Sequence, residues 1–380
     1  MPKTKKKRKL LIFFLGLLIV YISWLSFHII RFKSYAPGPK VSSSYEIVGS
    51  YHMHSTLSDG KKDPDKIAHI AARSGLDFII LTDHGEPNFA CLKAKGWKEG
   101  LLMLSGTEMS VNRGHLVGLG FETPSQRFSE NAERAAHQVN ALNGFTIIAH
   151  PYSKTSWSWG KYAGYSGIEI INADSMLQKN IVPLLPFFPA LFIKPELPLL
   201  RMLARPEKNL RKWDMLNRSS KIYGYFSTDA HLLYKPLFSF LRLHVLLNKP
   251  LASDFKVAEN QVYSALKKGR FFNAVDAAAY ATGFRFWGKS GNANIPMGAS
   301  IQFDSPLTLN IQLPLGLKQK AYIICNGKSL PLPSGNTAVY EATQPGVYRV
   351  EVFLKERTPL HRNCPWIISN PIFLREKNYE

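Results

Sequence analysis

The chain of 380 residues is long enough for two domains and carries a formal net charge of +21. Hydrophobic residues make up 45% and charged residues 20%, a balance that excludes a disordered chain. The positive excess favours a negatively charged partner, such as an anionic lipid surface or a phosphorylated substrate. A nucleic-acid partner is not expected, because the sequence contains no basic helix, zinc finger or aromatic RNA-binding signature. Three widely spaced cysteines define neither a disulfide framework nor a metal clip.

The N-terminal segment predicts a membrane anchor. Residues 10–30 contain no charged side chain and are long enough to cross a hydrocarbon core of about 30 Å as a helix. Six basic residues lie in the preceding tail, residues 1–9. The positive-inside rule therefore predicts a single-pass protein with a cytoplasmic N-terminus and the rest of the chain outside the cytoplasm. A cleaved signal peptide is the alternative, but its apolar region is usually shorter. Residues 31–45 predict a polar linker.

Residues 46–282 predict alternating strands and helices. Asp63 and Pro64 are typical of a helix start, and a second helix is expected over residues 130–142. Apolar strands are predicted at residues 77–82, 101–104, 145–149, 167–171, 221–227 and 271–275. This order predicts a mainly parallel sheet, and the polar residues that follow the strands predict the carboxyl-terminal mouth of a β/α barrel.

Histidines and carboxylates collect where these strands end. His52 and His54 follow the first strand, and the alternation of strand side chains puts both imidazoles on one face at no conformational cost beyond the strand itself. Asp59 lies on the turn that follows. The candidate metal ligands are His52, His54, Asp59, His84, Glu108, His115, His150, Asp229 and His231. Imidazole and carboxylate ligands without thiolate suit Zn, Mn or Fe. His244 is expected to be a packing or surface residue.

Five separated motifs resemble those of the PHP family, the polymerase and histidinol phosphatase superfamily. They are HMHSTLSDG at 52–60, TDH at 82–84, the pair Glu108 and His115, AHP at 149–151 and TDAH at 228–231. The resemblance implies a distorted (β/α)7 barrel that holds two or three divalent metal ions. By that resemblance, one metal is held by His52, His54, Glu108 and Asp229, a second by Asp59, His84 and His231, and a third by Glu108, His115 and His150. Glu108 would bridge two of them.

The expected reaction is the hydrolysis of a phosphate ester. Clustered divalent ions lower the pKa of a bound water, supply a hydroxide nucleophile at a di- or trinuclear site and stabilise charge on phosphoryl oxygens. Besides Glu108, two residues are expected to assist catalysis. Asp83 would orient a neighbouring group, and Arg113, which lies close to a ligand motif, would bind the phosphate. Arg73 and Lys154 are further candidates for phosphate binding.

Two alternative functions stay open. The ending PWIISNPI at residues 365–372 is similar to that of a PHP subgroup that includes carbaryl hydrolases. It favours a hydrolase of the same fold that acts on a carbamate or carboxylic ester. A non-catalytic binding scaffold is the other alternative, and the intact ligand set argues against it. The sequence indicates no oligomeric state.

An apolar insertion is predicted at about residues 176–213. Its central stretch, residues 181–203, is interrupted by Pro183, Pro186, Pro189, Pro195 and Pro198. Prolines at this density argue against a second membrane span. One hypothesis is that the insertion dips into the outer face of the bilayer and guides an amphiphilic substrate to the site. The basic residues expected to assist it are Arg201, Arg205, Lys208, Arg211 and Lys212.

The C-terminal region, residues 283–380, changes in character. Short apolar runs alternate with Gly, Pro and Asn turns, which predicts an antiparallel β-sandwich domain. No catalytic constellation is visible in it. Structural support or partner binding is therefore its expected role.

The predicted topology can be tested with reporters fused after Glu380. Alkaline phosphatase, which is active only outside the cytoplasm, is expected to be active in this fusion, because positive charge before the anchor retains the N-terminus inside. A β-galactosidase fusion at the same position should be inactive. The reverse pattern of activities would contradict the predicted orientation.

Overall fold

The computed structural model of the chain describes residues 2–32, 45–152, 157–160, 164–356 and 358–376. Over these residues the chain is a mixed α/β protein with an apolar N-terminal helix. The predicted linker falls almost wholly outside the described residues, and so does Lys154. The helices are α1 (Pro2–Arg31), α2 (Pro64–Arg73), α3 (Phe89–Lys93), α4 (Ala132–Ala141), α5 (Ala173–Leu184), α6 (Ala190–Ile193), α7 (Glu196–Met202), α8 (Glu207–Leu216), α9 (Tyr234–Phe240) and α10 (Phe255–Lys267). A 3-10 turn at Leu185–Phe187 lies between α5 and α6.

The strands fall into an N-terminal and a C-terminal set. The first set is β1 (Tyr45–Tyr51), β2 (Phe78–Leu81), β3 (Gly96–Lys98), β4 (Leu101–Ser105), β5 (Thr107–Val111), β6 (Gly114–Leu119), β7 (Phe145–Ile148), β8 (Gly167–Asn172), β9 (Tyr223–Ser227), β10 (Leu241–Leu247) and β11 (Phe271–Val275). The second set is β12 (Arg285–Ser290), β13 (Ala293–Pro296), β14 (Ser300–Gln302), β15 (Leu307–Gln312), β16 (Gln319–Cys325), β17 (Lys328–Pro331), β18 (Thr337–Ala342), β19 (Gly346–Leu354), β20 (Ile367–Ser369) and β21 (Ile372–Arg375).

Local sequence signals explain the element boundaries. The Asp63 side chain accepts a hydrogen bond from the Lys66 amide and Pro64 occupies the first turn, so α2 begins where the sequence predicts. Gly75, with φ of 74°, follows the end of the same helix in the left-handed conformation that glycine favours. The buried strands β2, β4, β7, β8, β9 and β11 confirm the predicted apolar runs.

The N-terminal strands belong to two sheets. The strands β1, β2 and β4 pair in parallel in one sheet, and β7, β8 and β9 do so in the other. Single bridges join the sheets at two seams, between Met53 and Ala230 and between His84 and Glu108. The expectation of a mainly parallel arrangement is only partly right, because β5, β6 and β7 are antiparallel. The turn at residues 112–113 between β5 and β6 is too short for a parallel crossover.

The C-terminal strands are not separate from the N-terminal ones. Four of them form a small antiparallel sheet in the order β13, β12, β15, β18. The others continue the large sheet, where β20 pairs with β11. Asn370 accepts a hydrogen bond from the Gly224 amide and donates one to the Phe271 carbonyl. The PWIISNPI segment therefore ties β9 and β11 to the C-terminal strands.

The insertion consists of short helices rather than one long helix. Asn180 leaves the helical conformation inside α5, and Pro183 follows within the same helix. Beyond α7, α8 packs against β8, and Trp213 donates a hydrogen bond to the Ile222 carbonyl next to β9. The basic residues of α8 therefore belong to a helix that covers the sheet, not to the apolar part of the insertion.

A buried charge network lies between β1, β10 and β11. The His244 ring nitrogens lie 2.7 Å from a Glu46 oxygen and 3.1 Å from an Asp276 oxygen, and Arg285 donates to Glu46. Burial lowers the pKa of His244, but Asp276 and Glu46 more than offset this and raise it to about 9. His244 is thus a packing residue that carries charge.

Replacement of His244 by Gln tests this network. The pKa of the folded state exceeds that of the unfolded state, so the charge of His244 stabilises fully below about pH 6.5 and this stabilisation is lost as pH rises through about 9. His244→Gln should lower the free energy of unfolding by about 3 kcal/mol at acidic to neutral pH, and by less above about pH 9. Urea unfolding in detergent measures both values. His137→Gln, on an exposed face of α4, is the control, and a pH-independent difference would contradict this interpretation.

Candidate metal centre

The structure brings all nine predicted ligand residues into one cluster. They follow or begin strands whose ends meet at the same edge of the two sheets: β1, β2, β5, β6, β7 and β9. Three groups within the cluster have donor atoms close enough to hold a metal ion. They are His52, His54, Glu108 and Asp229; His54, Asp59, His84 and His231; and His84, Glu108 and His115.

The first group is buried. His52 Nε2 lies 3.3 Å from Glu108 Oε2 and 3.4 Å from Asp229 Oδ1. His54 Nε2 lies 3.1 Å and 3.3 Å from the same two oxygens. The side chains of His52, His54 and Glu108 are at most 1% exposed and that of Asp229 is 8% exposed. Two imidazoles and two carboxylates therefore converge on one point away from solvent.

The second group faces the solvent. Asp59 Oδ2 lies 3.3 Å from His231 Nε2 and 3.7 Å from His84 Nε2, and Asp59 Oδ1 lies 3.5 Å from His54 Nδ1. The Asp59 side chain is 53% exposed. His54 thus turns one ring nitrogen to each of the first two groups, whereas the family resemblance assigns it to the first metal only.

Glu108 connects the groups. Its Oε1 lies 3.0 Å from both His115 Nδ1 and His150 Nε2, and its Oε2 lies 3.3 Å from His84 Nδ1. The resemblance assigns His150 to the third metal, but the closely spaced third group contains His84 instead. His150 lies beside this group and also 3.9 Å from Asp229.

The donor set fits divalent cations. His52 Nε2, His54 Nε2 and His84 Nδ1 are buried and have no hydrogen-bond partner among the described residues. Buried polar atoms are rarely left without a partner, and all three nitrogens point towards the same Glu108 oxygen. In the part of the chain that the structure describes, no Lys or Arg forms an ion pair with Glu108 or Asp229.

The pKa shifts of the ligand residues are consistent with the binding of divalent cations. Burial raises the pKa of Glu108, but His52 and the other surrounding imidazoles hold it well below its usual range. Burial lowers the pKa of His54, but the adjacent carboxylates of Asp229 and Glu108 more than offset this and raise it to about 9. The carboxylates therefore stay charged and attract either protons or metal ions to the same ring nitrogens.

The backbone at three ligand positions is strained. His52, His150 and Asp229 have φ of 63°, 25° and 50°, a region that costs about 1–3 kcal/mol for residues other than glycine. The expectation that the first two imidazoles converge at no conformational cost is therefore wrong. The main chain of His52 is held by the Asp229 amide, which donates to its carbonyl at 2.7 Å, and by the Thr228 hydroxyl.

The chain was compared with known proteins. No family model matches the chain. A two-domain protein from Bacteroides vulgatus that contains a predicted PHP-like metal-dependent phosphoesterase covers 90% of this chain and 99% of its own, at 14% identity and a TM-score of 0.44. A predicted metal-dependent phosphoesterase from Bifidobacterium adolescentis covers 60% of this chain and 97% of its own, at 12% identity and a TM-score of 0.34.

Two further similarities were found. An amidohydrolase from Chromobacterium violaceum, solved with sulfate and without metal, covers 48% of this chain and 87% of its own, at 16% identity and a TM-score of 0.31. An uncharacterised protein from Methanocaldococcus jannaschii is 23% identical over 137 residues, which is 35% of this chain and 79% of that protein.

Glu169 supports the ligand cluster and is not among the residues that the sequence predicts. Its Oε1 lies 2.5 Å from His52 Nδ1, and its Oε2 accepts hydrogen bonds from the His150 amide and from Asn172. A carboxylate on Nδ1 fixes the tautomer that leaves Nε2 free to bind a metal. The signal was a carboxylate inside the otherwise apolar strand β8, since charged residues are rarely buried without a partner.

Asp83 holds the loop that carries two of the predicted ligands. Its carboxylate accepts hydrogen bonds from the Ser55 amide at 2.7 Å, the Ser55 hydroxyl at 2.8 Å and the Ser58 hydroxyl at 2.7 Å. These residues lie between His54 and Asp59. The contacts are those of an orienting residue, and the catalytic role expected for Asp83 stays a prediction.

The predicted phosphate-binding arginines are placed less favourably. Arg113 donates to Glu133 Oε1 at 3.0 Å and to the Ser158 carbonyl at 3.1 Å, so its charge is already paired. Arg73 is the last residue of α2 and lies at the end of the sheet where β2 begins, whereas His84 follows the other end of β2. Phosphate binding by Arg113 stays a prediction.

Glu169→Gln tests the support of His52. Gln cannot stabilise the required tautomer as a carboxylate does, so affinity for Mn²⁺ or Zn²⁺ should fall by about 10- to 100-fold. Isothermal titration of the metal-stripped full chain in detergent measures this. Glu99→Gln is the matched control, because Glu99 pairs with the exposed His69 on the surface. Equal metal affinity in the two variants would show that Glu169 does not support metal binding.

Proposed function

We propose that the protein is a membrane-anchored, divalent-metal-dependent phosphoesterase. The observation that carries this proposal is the ligand cluster. In it, three buried imidazole nitrogens that have no hydrogen-bond partner among the described residues lie close to one oxygen of Glu108. The proposed organisation is a basic tail at 1–9, an anchor at 10–30, a linker at 31–45, a distorted (β/α)7 barrel at 46–282 with its insertion, and a β-sandwich domain at 283–380.

The nine ligand residues would hold two or three ions of Zn, Mn or Fe. When bound, these ions would lower the pKa of a water molecule and stabilise charge on phosphoryl oxygens. His52, His54, Glu108 and Asp229 would hold the buried ion. Glu108 would link it to ions held nearer the surface, because its two oxygens face different histidines. Glu169 would keep His52 in the required orientation.

The exposed side of the cluster defines the approach of the substrate. His84, His115 and His231 are 30–34% exposed, whereas His52 and His54 are fully buried. A small phosphorylated substrate would therefore meet the cluster from the side of Asp59 and these three histidines. Nucleic acid is not expected as a partner, for the reasons given by the composition.

The membrane location rests on α1. Over Lys5–Arg31 this helix is long and apolar enough to cross a membrane, and among the described residues it is the one helix that meets those criteria. The basic residues before it favour a cytoplasmic N-terminus. The phosphoesterase would then act outside the cytoplasm, as a single-pass protein.

The carbamate or carboxylic ester alternative is not favoured by the PWIISNPI segment. Trp366 Nε1 donates to the Ala279 carbonyl, and Asn370 bonds to the main chain of β9 and β11. These contacts explain the segment by sheet packing, and they carry no information about the substrate.

Paired assays distinguish the two reactions. The full chain should hydrolyse p-nitrophenyl phosphate in the presence of Mn²⁺, hydrolyse p-nitrophenyl acetate far more slowly, and lose phosphatase activity on chelation. His150→Ala should reduce kcat for the phosphate by about 100-fold or more, because it removes a contact to Glu108. His137→Ala is the control on an exposed helix face. Phosphatase activity that survives both chelation and His150→Ala would refute the proposal.

A further inference from the structure

The insertion packs against the second half of the anchor helix. The Tyr21 hydroxyl donates a hydrogen bond to the Pro186 carbonyl at 2.9 Å, and the Trp24 and Phe187 rings lie 4.9 Å apart. Further contacts join His28 to Arg201, and Phe32 to Lys194. In contrast, the apolar side chains from Leu10 to Val20 are exposed. The first half of the anchor helix is therefore exposed, whereas the insertion packs against one side of its second half.

The depth of these contacts places the insertion within the bilayer. The last basic residue before the apolar run is Lys9, and about 20 helical residues are needed to cross the hydrocarbon core, so the span ends near Ile30. Tyr21 then lies about 14 Å below the outer boundary, at 1.5 Å per residue. A segment that contacts Tyr21 must enter the outer half of the membrane that α1 crosses.

The surface of the insertion is suited to lipid. Six large apolar side chains in this segment are each more than half exposed: Ile181, Val182, Leu185, Phe188, Phe192 and Ile193. Outside α1 and this segment, the exposed large apolar side chains of the described residues are scattered along the chain. Contiguous apolar surface of this kind is rare unless a partner covers it, and its continuity with the anchor indicates that the partner is the bilayer.

The same insertion also forms one wall of a cavity next to the metal centre. The cavity, of about 270 Å³, is lined by the predicted ligand His150 and by Met176, Lys179 and Asn180 of α5. The next residues of α5, Ile181 and Val182, belong to the exposed apolar surface. A helix of 12 residues is about 18 Å long, so α5 runs from the metal centre to the lipid-facing surface.

The charge of the cavity favours an anion. Lys179 and Lys208 both line it, and neither forms an ion pair with an acidic side chain of the described residues. The acidic residue in the lining, Glu207, is paired with Arg205 at 2.8 Å. Burial and the nearby Lys208 lower the pKa of Lys179, as expected for two cations that share a site without a counter-ion.

We propose that residues 181–193 insert into the outer leaflet beside α1, and that the substrate is a phosphorylated amphiphile drawn from that leaflet. Its headgroup enters the cavity between α5 and α8 and meets the centre at His150, while its apolar part stays against the insertion. This inference rests on the proposed phosphoesterase function and names the class of substrate for the same site.

Membrane insertion can be measured without any substrate. Phe192→Cys, at a side chain that is 81% exposed, provides a labelling position, because the native cysteines Cys91, Cys325 and Cys364 are buried. With an environment-sensitive fluorophore, the full chain in phosphatidylcholine vesicles should show quenching by spin-labelled lipids. Leu315→Cys, in a turn of the C-terminal region, should show none. Equal, weak quenching at both positions would contradict the proposal that residues 181–193 enter the membrane.

Delivery of the substrate is tested by comparing two phosphate esters. The double variant Phe192→Asp with Ile193→Asp should hydrolyse phosphatidic acid in vesicles about tenfold more slowly, with an unchanged rate on soluble p-nitrophenyl phosphate. Leu315→Asp, another exposed apolar position, should change neither rate. Hydrolysis of p-nitrophenyl phosphate without hydrolysis of phosphatidic acid, or an equal loss of both in the double variant, overturns this inference. If the wild-type chain hydrolyses neither ester, the proposed phosphoesterase function itself is wrong.

Discussion

The site depends on one buried carboxylate. Glu108 is 1% exposed and lies within 3.3 Å of five histidines that lie at the ends of four strands, β1, β2, β6 and β7. Its negative charge, with those of Asp229 and Glu169, has no cationic partner among the described residues other than imidazole. A carboxylate so placed is costly to bury unless a cation balances it. Binding of metal ions and stability of the fold are therefore expected to be linked.

The same carboxylate lies where the two sheets meet. One seam is the bridge between His84 and Glu108, and the other is the bridge between Met53 and Ala230, which lies among four further ligand residues. Two of those ligands, His52 and Asp229, adopt strained backbone conformations next to the second seam. Part of the ligand cluster thus lies on irregular backbone that follows the ends of the strands.

Much of the site could be predicted because its ligands follow buried strands. Apolar runs that end in histidine or aspartate mark the strand exits, and parallel strands bring those exits together. Side-chain contacts between residues that are distant in the sequence could not be predicted. Arg113 is neutralised by Glu133, 20 residues away, and Glu169 reaches His52 across 117 residues. The ring nitrogen that each histidine presents depends on backbone turns that no local pattern specifies. The position of the insertion against α1 is equally a product of tertiary packing.

The pairing of β20 with β11 gives the C-terminal region a further role. Phe272, Asn273 and Ala274 of β11 are matched by Ser369, Ile368 and Ile367 of β20, so the large sheet has no free edge at this point. A chain that ended at residue 282 would leave the N–H and C=O groups of β11 open along a buried, apolar strand. Such an edge is a template for pairing with other chains. The C-terminal strands therefore cover an edge of β11 that would otherwise be open to such pairing.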